Sequence, residues 1–191
     1  DNALPWSPAM PTVVHYVVGL GSNLGDRRGH LVRGAARVAE LGLILGRSAI
    51  YESPAWGGPE QGPFLNAALS LATGLEPEAL LDALLEIERE LGRERRVRWG
   101  PRTVDLDVLW ADSLAFSSAV LRIPHERLAE RTFALGPLLD VAPEARPPGG
   151  AEPYAVAFRR LRLPRLERVF EPDEWSQPGA ESGVAPHHAL R

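Results

Sequence analysis

Two aspartates, Asp105 and Asp107, stand one residue apart in the otherwise apolar stretch VDLDVLW at residues 104–110. In a β-strand, residues i and i+2 project from the same face, so both carboxylates share one side and the apolar side chains between them face the other. Two carboxylates this close repel each other, so a cation is expected beside them. Mg²⁺ suits the pair because it takes oxygen ligands and commonly binds one or two carboxylates together with substrate phosphates. The alternative is an exposed sheet face that carries solvated acids.

The segment that leads into this strand is rich in arginine, with Arg93, Arg95, Arg96, Arg98 and Arg102. Guanidinium groups bind phosphate oxygens through paired hydrogen bonds, and a divalent ion bridges those oxygens. The acid pair and the arginine loop together therefore predict a polyphosphate site. A solvated run of charge is the alternative.

Three further residues extend this candidate site. His125 and Arg131, in IPHERLAERTF, could add phosphate contacts, although a lone histidine is more often structural. Asn66 lies in an apolar strand, where a buried amide must find partners. Phe64 is two residues away on the same face and Trp56 is in the preceding loop, which suits a flat hydrogen-bonding heterocycle. An ordinary core asparagine with satisfied hydrogen bonds is the alternative.

Composition excludes several classes of protein. The net charge of −4 argues against a chain-wide nucleic-acid surface. There is no cysteine, which excludes disulfides, thiolate catalysis and cysteine-bound metals. All 21 basic residues are arginine, which excludes Schiff-base chemistry and the P-loop lysine. GLGSNLG fails the dinucleotide fingerprint because Leu24 takes the place of its third glycine. No apolar run or leader of the membrane or secretory type is present, so we expect no membrane partner and a cytoplasmic location. We also expect a monomer.

The elements that must position these residues follow from the hydrophobic pattern. Asp26 is predicted to cap a first helix, and Pro77 and Gly92 bound a second. The order strand, helix, strand, strand, helix, strand is typical of a ferredoxin-like α+β fold, in which both helices cover one face of a four-stranded antiparallel sheet. The predicted strands are residues 12–20, 43–51, 64–73 and 103–110.

The ends of the chain are predicted to lie outside this domain. Residues 1–12 are proline-rich and are expected to form an N-terminal extension, and 13–166 are expected to form the domain. Residues 167–191 are polar and rich in Pro and Gly, which predicts a flexible tail. The open sheet face must then be covered by the loop 52–63 or by short helices after residue 114.

Four stretches, GLGSNLGD, YESPAWGGPEQGPFLNAAL, RWGPRTVDLDVLW and IPHERLAERTFALGPLLDVAPE, closely resemble the 6-hydroxymethyl-7,8-dihydropterin pyrophosphokinases of folate biosynthesis. The resemblance covers residues 13–144 with every motif in order. It implies a ferredoxin-like fold and transfer of the pyrophosphoryl group of ATP to the hydroxymethyl oxygen of the pterin, with release of AMP. It also implies two Mg²⁺ ions that act with ATP.

The resemblance assigns a role to each matching residue. Catalysis would use Arg93, Arg102, Asp105 and Asp107, of which the two aspartates would hold the metal ions. The nucleotide would be bound by Glu88, Arg95, Trp99, Arg102, His125 and Arg131. The pterin would be bound by Ser53, Pro54, Trp56, Phe64, Asn66 and Phe133, with the two phenylalanines on opposite sides of the ring.

Some positions depart from the family, and other functions compete. Glu126 stands where the family often has a tyrosine, Phe64 replaces a common tyrosine, and the arginine loop is one residue shorter than in some members. A non-catalytic RNA-binding or ligand-binding module of the same fold would use aromatics on the open face, but a pair of acids would repel a nucleic-acid backbone. A catalytically inactive relic of the enzyme is a further alternative, which the intact acids, arginines and histidine oppose.

Overall fold

A computed structural model describes residues 12–55, 61–92, 103–150, 152–161 and 166–175 of the chain. The α-helices in these residues are α1 (Arg27–Val38), α2 (Pro77–Glu90), α3 (Thr132–Val141) and α4 (Tyr154–Arg160). The strands are β1 (Val14–Ser22), β2 (Leu43–Arg47), β3 (Ile50–Ser53), β4 (Phe64–Thr73), β5 (Asp105–Ala111), β6 (Phe116–Ser117), β7 (Arg122–Ile123) and β8 (Glu167–Phe170). Single 3₁₀ turns lie at Ala39–Leu41, Leu128–Glu130 and Pro148–Gly150.

The main sheet is antiparallel and contains more strands than the sequence predicts. Five of its six strands follow the order β5-β1-β4-β3-β8, and the sixth, β2, pairs with β4. The sheet exceeds the four predicted strands because the predicted strand 43–51 is divided into β2 and β3, and because β8 adds a strand beside β3. Strands β6 and β7 form a separate ribbon.

Ser48 and Ala49 account for the division between β2 and β3. The hydroxyl of Ser48 accepts a hydrogen bond from the backbone N–H of Ala68 at 2.8 Å, in place of a backbone carbonyl. The backbone N–H of Ala49 donates to the carboxylate of Asp140 on α3 at 3.0 Å. The backbone groups at the break are thus satisfied by side chains, which allows the strand to change direction without leaving them unpaired in the interior.

Helices cover both faces of the sheet. Leu31 of α1 and Leu84 of α2 pack with Val18 of β1 in one hydrophobic cluster. Leu135 of α3 and Tyr154 of α4 pack in a second cluster on the opposite face. The expectation that short helices after residue 114 cover the second face is confirmed by α3 and α4. Asp105 and Asp107 alternate along β5 with Leu106 and Val108 of the first cluster, so the two aspartates lie on this second face.

The boundaries of the first two helices follow from local chemistry. The Asp26 carboxylate accepts the backbone N–H of Gly29 at 2.9 Å, which confirms it as the cap of α1. Pro77 is the first residue of α2, and Gly92 follows the helix with φ +82°, a left-handed conformation that glycine adopts without strain. Among the residues that the structure describes, no helix has the length and hydrophobicity needed to cross a membrane.

The prediction of a flexible tail from residue 167 was wrong for residues 167–175. Strand β8 pairs with β3, and Trp175 is only 1% exposed within the same cluster as α1 and α2. The indole Nε1 of Trp175 donates to the carbonyl oxygen of Ser48 at 2.8 Å. One buried aromatic side chain with a satisfied N–H outweighs the polar composition around it, because burying a tryptophan stabilises by several kcal/mol, on the order of 3–5. The remaining residues of the predicted tail lie outside the described residues.

Candidate functional site

A single row of residues crosses four strands on the face that carries the acid pair. Asp105 of β5 pairs with Gly21 of β1, Gly21 pairs with Asn66 of β4, and Asn66 pairs with Tyr51 of β3. Directly paired residues of antiparallel strands project from the same face, with Cβ atoms about 5 Å apart. The acid of the predicted metal site and the amide of the predicted pterin site are therefore separated by one residue, and that residue is a glycine.

Because Gly21 has no side chain, the sheet surface between Asp105 and Asn66 is left uncovered. A Cβ built at Gly21 would lie 3.6 Å from Oδ1 of Asn66, 3.8 Å from Cβ of Asp105 and 3.8 Å from Cδ1 of Phe64. Three predicted site residues thus surround this one backbone position. Gly21 is not among the predicted site residues, because GLGSNLG was considered as a dinucleotide fingerprint, which it fails, and as a family motif, not as part of a binding surface. Gly19 in the predicted strand 12–20 and Gly21 just after it are two residues apart, which places them on one face if the strand continues, and this was the signal that could have found Gly21.

The acid pair lies on β5, at the edge of the main sheet. Asp105 is half-buried and Asp107 is exposed. The backbone between the two aspartates is bound to α2, because Oε1 of Glu88 accepts the backbone N–H of Leu106 at 2.7 Å. Glu88 is only 2% exposed, so its carboxylate anchors this edge strand to the helix. The contact between Glu88 and the nucleotide that the resemblance implies stays a prediction.

His125 is held next to β5 by two backbone hydrogen bonds. The backbone N–H of His125 donates to the carbonyl oxygen of Leu109 at 2.8 Å. The ring nitrogen Nδ1 accepts the backbone N–H of Arg127 at 3.1 Å. A backbone N–H can only donate, so Nδ1 carries no proton and the neutral ring carries it on Nε2. Burial, and then the charge of Arg131, lower the pKa of His125, so the ring is neutral near pH 7. Its Nε2–H is then available as a donor.

Arg131 stands between His125 and the start of α3. Its Nη1 lies 3.5 Å from Nε2 of His125, and its guanidinium carbon lies 5.7 Å from the centre of the Phe133 ring. Burial lowers the pKa of Arg131, and the charge of Asp107 opposes that shift. The structure therefore brings the predicted phosphate contacts, His125 and Arg131, into electrostatic contact with the acid pair.

The predicted pterin contacts meet at the ends of β3 and β4. Nδ2 of Asn66 donates to the hydroxyl of Ser53 at 3.0 Å, and both side chains are buried. Ser53 pairs with Phe64 across the strands. Because the Asn66 amide donates its N–H to Ser53, its oxygen faces Gly21, where it can accept a hydrogen bond from a ligand. Pro54 follows Ser53 and is exposed.

Arg96 and Arg98 of the arginine loop lie outside the described residues, and so do five of the residues to which the resemblance assigns a role. These five are Trp56, Arg93, Arg95, Trp99 and Arg102. Both described ends of the loop 52–63, in contrast, contact the segment 23–27, which runs from the end of β1 to the first residue of α1. Nδ2 of Asn23 donates to Oε1 of Gln61 at 2.9 Å, and Nη1 of Arg27 donates to the carbonyl oxygen of Pro63 at 2.9 Å while it pairs with Glu52 at 2.8 Å.

The donor set of the acid pair fits Mg²⁺. Asp105 and Asp107 provide carboxylate oxygens on one face, which are the protein ligands this ion prefers. In the described part of the chain no group of three or more His, Cys, Asp or Glu side chains could hold a metal ion. A Mg²⁺ ion at the acid pair would therefore complete its coordination with water or with phosphate oxygens of a substrate, as is usual for this ion.

Comparison with known proteins points to one family. Residues 17–143 match the family model of 7,8-dihydro-6-hydroxymethylpterin-pyrophosphokinase. A 2-amino-4-hydroxy-6-hydroxymethyldihydropteridine pyrophosphokinase of Methylorubrum extorquens is 41% identical over 154 residues, which are 80% of this chain and 96% of the relative. The enzyme of the same name from Bacillus subtilis is 41% identical over 126 residues, 65% of this chain and 75% of the relative.

Solved structures share the fold. The structure titled "Crystal Structure Analysis of the HPPK-DHPS in complex with substrates" superposes with a TM-score of 0.61 at 14% identity and covers 76% of this chain. A Plasmodium falciparum HPPK-DHPS structure gives 0.62 at 14% identity over 78% of this chain. This chain spans 43% of the length of each of those chains. The matched residues 17–143 contain the acid pair, Gly21, Asn66 and His125, and the chain belongs to the 7,8-dihydro-6-hydroxymethylpterin-pyrophosphokinase family.

Proposed function

We propose that this protein transfers the pyrophosphoryl group of ATP to 6-hydroxymethyl-7,8-dihydropterin, which gives AMP and the pterin pyrophosphate, a step of folate synthesis. The observation that carries the proposal is the row Asp105, Gly21, Asn66 on one sheet face. It supports a reaction between a polyphosphate at the acids and a flat heterocycle at the amide, because only a bare backbone position separates them. Family membership supports the identity of both substrates.

In this reaction the hydroxymethyl oxygen of the pterin forms a bond to the β-phosphorus of ATP. The bond from that phosphorus to the oxygen that bridges the α- and β-phosphates breaks, AMP leaves with that oxygen, and the hydroxyl proton is released. Such transfers depend mostly on holding the reactants in line and on neutralising charge. Mg²⁺ bound by Asp105 and Asp107, as two ions with ATP, would supply part of that neutralisation.

The chain's own groups would bind and orient the two substrates. His125 would donate from Nε2 to a phosphate oxygen, and Arg131 would provide a fixed positive charge beside it. Asn66 would accept a hydrogen bond from the edge of the pterin, while Phe64 and Phe133 would stack on its ring. Arg93, Arg95, Trp99 and Arg102 would close over the triphosphate. Exclusion of water matters there, since a triphosphate poised for attack would otherwise be hydrolysed.

The order β1, α1, β2 with β3, β4, α2, β5 supports a ferredoxin-like βαββαβ core for this enzyme, with α3, α4 and β8 added after it. The elements that carry the proposed contacts all belong to this core or follow it directly. Strand β5 carries the acids, the adjacent β1 carries the glycine, and β4 and β3 carry the pterin contacts.

The direct test is incubation with ATP, Mg²⁺ and 6-hydroxymethyl-7,8-dihydropterin, followed by chromatography of the nucleotides. AMP that accumulates only when the pterin and Mg²⁺ are both present is the expected result. ADP would show single-phosphate transfer and contradict the proposal. A well-folded protein that forms no product would favour a binding function for the same face.

A further inference from the structure

We propose that Asp140 of α3, Tyr51 of β3 and Arg168 of β8 form a lock that fixes β3 against α3 and thereby positions the residues that bind the pterin. We call these three residues the β3 lock. The inference rests on the proposed function, because it concerns the pterin half of that site. It assigns no catalytic role to the lock residues, since none of them is expected to touch either substrate.

The centre of the β3 lock is the carboxylate of Asp140. Its Oδ2 accepts the phenolic O–H of Tyr51 at 2.9 Å, and its Oδ1 lies 3.1 Å from the same oxygen. Oδ2 also accepts the backbone N–H of Ala49 at 3.0 Å. Burial, and then the hydrogen bond to Asp140, raise the pKa of Tyr51 to about 12, so the phenol remains a donor at neutral pH. One side chain of α3 therefore holds the start of β3 through two separate donors.

The third member of the lock comes from the C-terminal strand. Arg168 is paired with Tyr51 across β8 and β3. Its Nη2 lies 3.6 Å from Oδ2 of Asp140, and its guanidinium carbon lies 5.9 Å from the centre of the Tyr51 ring. Trp175 anchors this segment to the core through its buried indole. The positive charge of Arg168 thus compensates the carboxylate that α3 presents to β3.

The lock acts on the pterin site through two elements at once. On the strand side, Tyr51 pairs with Asn66, and Ser53 two residues later accepts the amide N–H of Asn66 at 3.0 Å. On the helix side, Asp140 shares α3 with Phe133. The strand that bears one group of proposed pterin contacts and the helix that bears another are therefore joined by the side chain of Asp140.

The lock depends on a segment that the family match does not include. The matched region ends at residue 143, whereas Arg168 and Trp175 follow it. Strand β8 leaves β3 paired on both edges, with β4 and with β8. A strand paired on both sides moves less than an edge strand, so Ser53 and Asn66 are held in place before the pterin binds.

The test compares Tyr51→Phe and Asp140→Asn with the unchanged full-length protein. Tyr51→Phe removes one hydroxyl, and Asp140→Asn removes the charge while it keeps the side-chain shape. We expect each to raise KM for the pterin about tenfold, with KM for ATP and kcat changed by less than about twofold, because the lock contacts the pterin side alone. Glu152→Gln is the matched control. It removes a carboxylate from a surface ion pair, in which Oε2 of Glu152 lies 2.7 Å from Nη1 of Arg160, away from β3.

Unchanged KM for the pterin in both lock variants would overturn the proposal, and so would an equal rise in KM for both substrates, since a general loss of structure would move the two together. A lower melting temperature with unchanged KM would assign the lock to stability alone.

Calorimetric titration of pterin into each protein without ATP separates this inference from the proposed reaction. If the unchanged protein forms no AMP but binds pterin, weaker binding by the lock variants still supports the lock, whereas equal binding overturns it. If the unchanged protein binds no pterin, both proposals are wrong.

Discussion

Gly21 and Asp105 are paired across β1 and β5, and a Cβ on Gly21 would lie 3.8 Å from that of Asp105. This separation is ordinary van der Waals contact, so the site could accept a methyl group without a clash within the protein. The same methyl group would occupy the space between Asp105 and Asn66. The glycine therefore keeps space for a ligand, and the fold does not require it.

We predict that Gly21→Ala folds normally but loses most of its turnover, on the order of a hundredfold in kcat/KM, because misplacement of reacting groups by about 1 Å has an effect of that size. Gly19→Ala is the matched control on the same strand, since its Cβ would lie 2.9 Å from Cδ1 of Leu109. That overpacking is expected to cost about 1–3 kcal/mol of unfolding free energy. Urea unfolding and steady-state kinetics of both variants provide the test. A fully active Gly21→Ala protein would show that the substrates do not approach the backbone at Gly21.

Replacement of Asp107 by asparagine is predicted to lower turnover about a hundredfold or more and to leave the melting temperature nearly unchanged, because Asp107 is exposed and serves charge stabilisation. Asp112→Asn provides a control on an exposed aspartate just after the same strand, and it should retain normal activity. Turnover measured against Mg²⁺ concentration checks the assignment. Equal activity of the two variants would remove the acid pair from the mechanism.

The neutral state of His125 predicts a pH dependence of stability. The pKa of His125 in the folded protein is below the ordinary value of 6.5. As the pH falls below about 6.5, the unfolded chain takes up a proton on this ring before the folded protein does. The unfolding free energy therefore falls from that pH down to the folded pKa, and this contribution is constant at higher pH.

The variant His125→Asn keeps an acceptor near the position of Nδ1 and removes the titrating ring. We expect its unfolding free energy to fall less steeply than that of the unchanged protein over the same acid range, because all other groups titrate equally in both. Urea unfolding at several pH values from about 5 to 8 measures the difference. Parallel curves for the two proteins would mean that burial does not hold the ring neutral.

Glu88 provides a test of how the acid pair is held. Glu88→Gln keeps an oxygen to accept the Leu106 N–H, whereas Glu88→Leu leaves that buried donor unpaired, which is expected to cost about 1–3 kcal/mol of unfolding free energy. We expect Glu88→Leu also to require more Mg²⁺ for half-maximal turnover, since Leu106 lies between Asp105 and Asp107. A Glu88→Gln protein of normal stability with a raised KM for ATP would instead support the nucleotide contact that the resemblance implies.

Local chemistry explains which parts of the fold could be predicted from the sequence. The predicted strand 64–73 agrees with β4 at both ends, and Asp26 caps α1, because alternation and capping depend on residues that are neighbours in the chain. The pairing of Asp105 with Gly21 and of Gly21 with Asn66 depends on the register of distant strands. Spacing along one strand could therefore predict that Asp105 and Asp107 share a face, but not which residue they would meet.

The parts that could not be predicted depend on long-range contacts that satisfy single polar groups. Trp175 stands in a polar stretch, and its burial depends on a distant hydrophobic cluster and on the Ser48 carbonyl oxygen that accepts its indole N–H. The Asp140 carboxylate likewise gains its partners from β3 and β8, which no pattern within α3 indicates. Composition predicts a tail around Trp175, because it averages over residues whose role is decided by one contact, and no prediction was made for Asp140.

The most direct test of the proposed reaction is the ³¹P NMR spectrum of its products, taken after incubation of the protein with ATP, Mg²⁺ and 6-hydroxymethyl-7,8-dihydropterin. We expect a pair of mutually coupled phosphorus resonances from the pterin pyrophosphate and a single resonance from AMP in equal amount, since the β- and γ-phosphorus atoms move together. One uncoupled resonance on the pterin together with ADP would contradict the account, because it would show that the site transfers only the terminal phosphate.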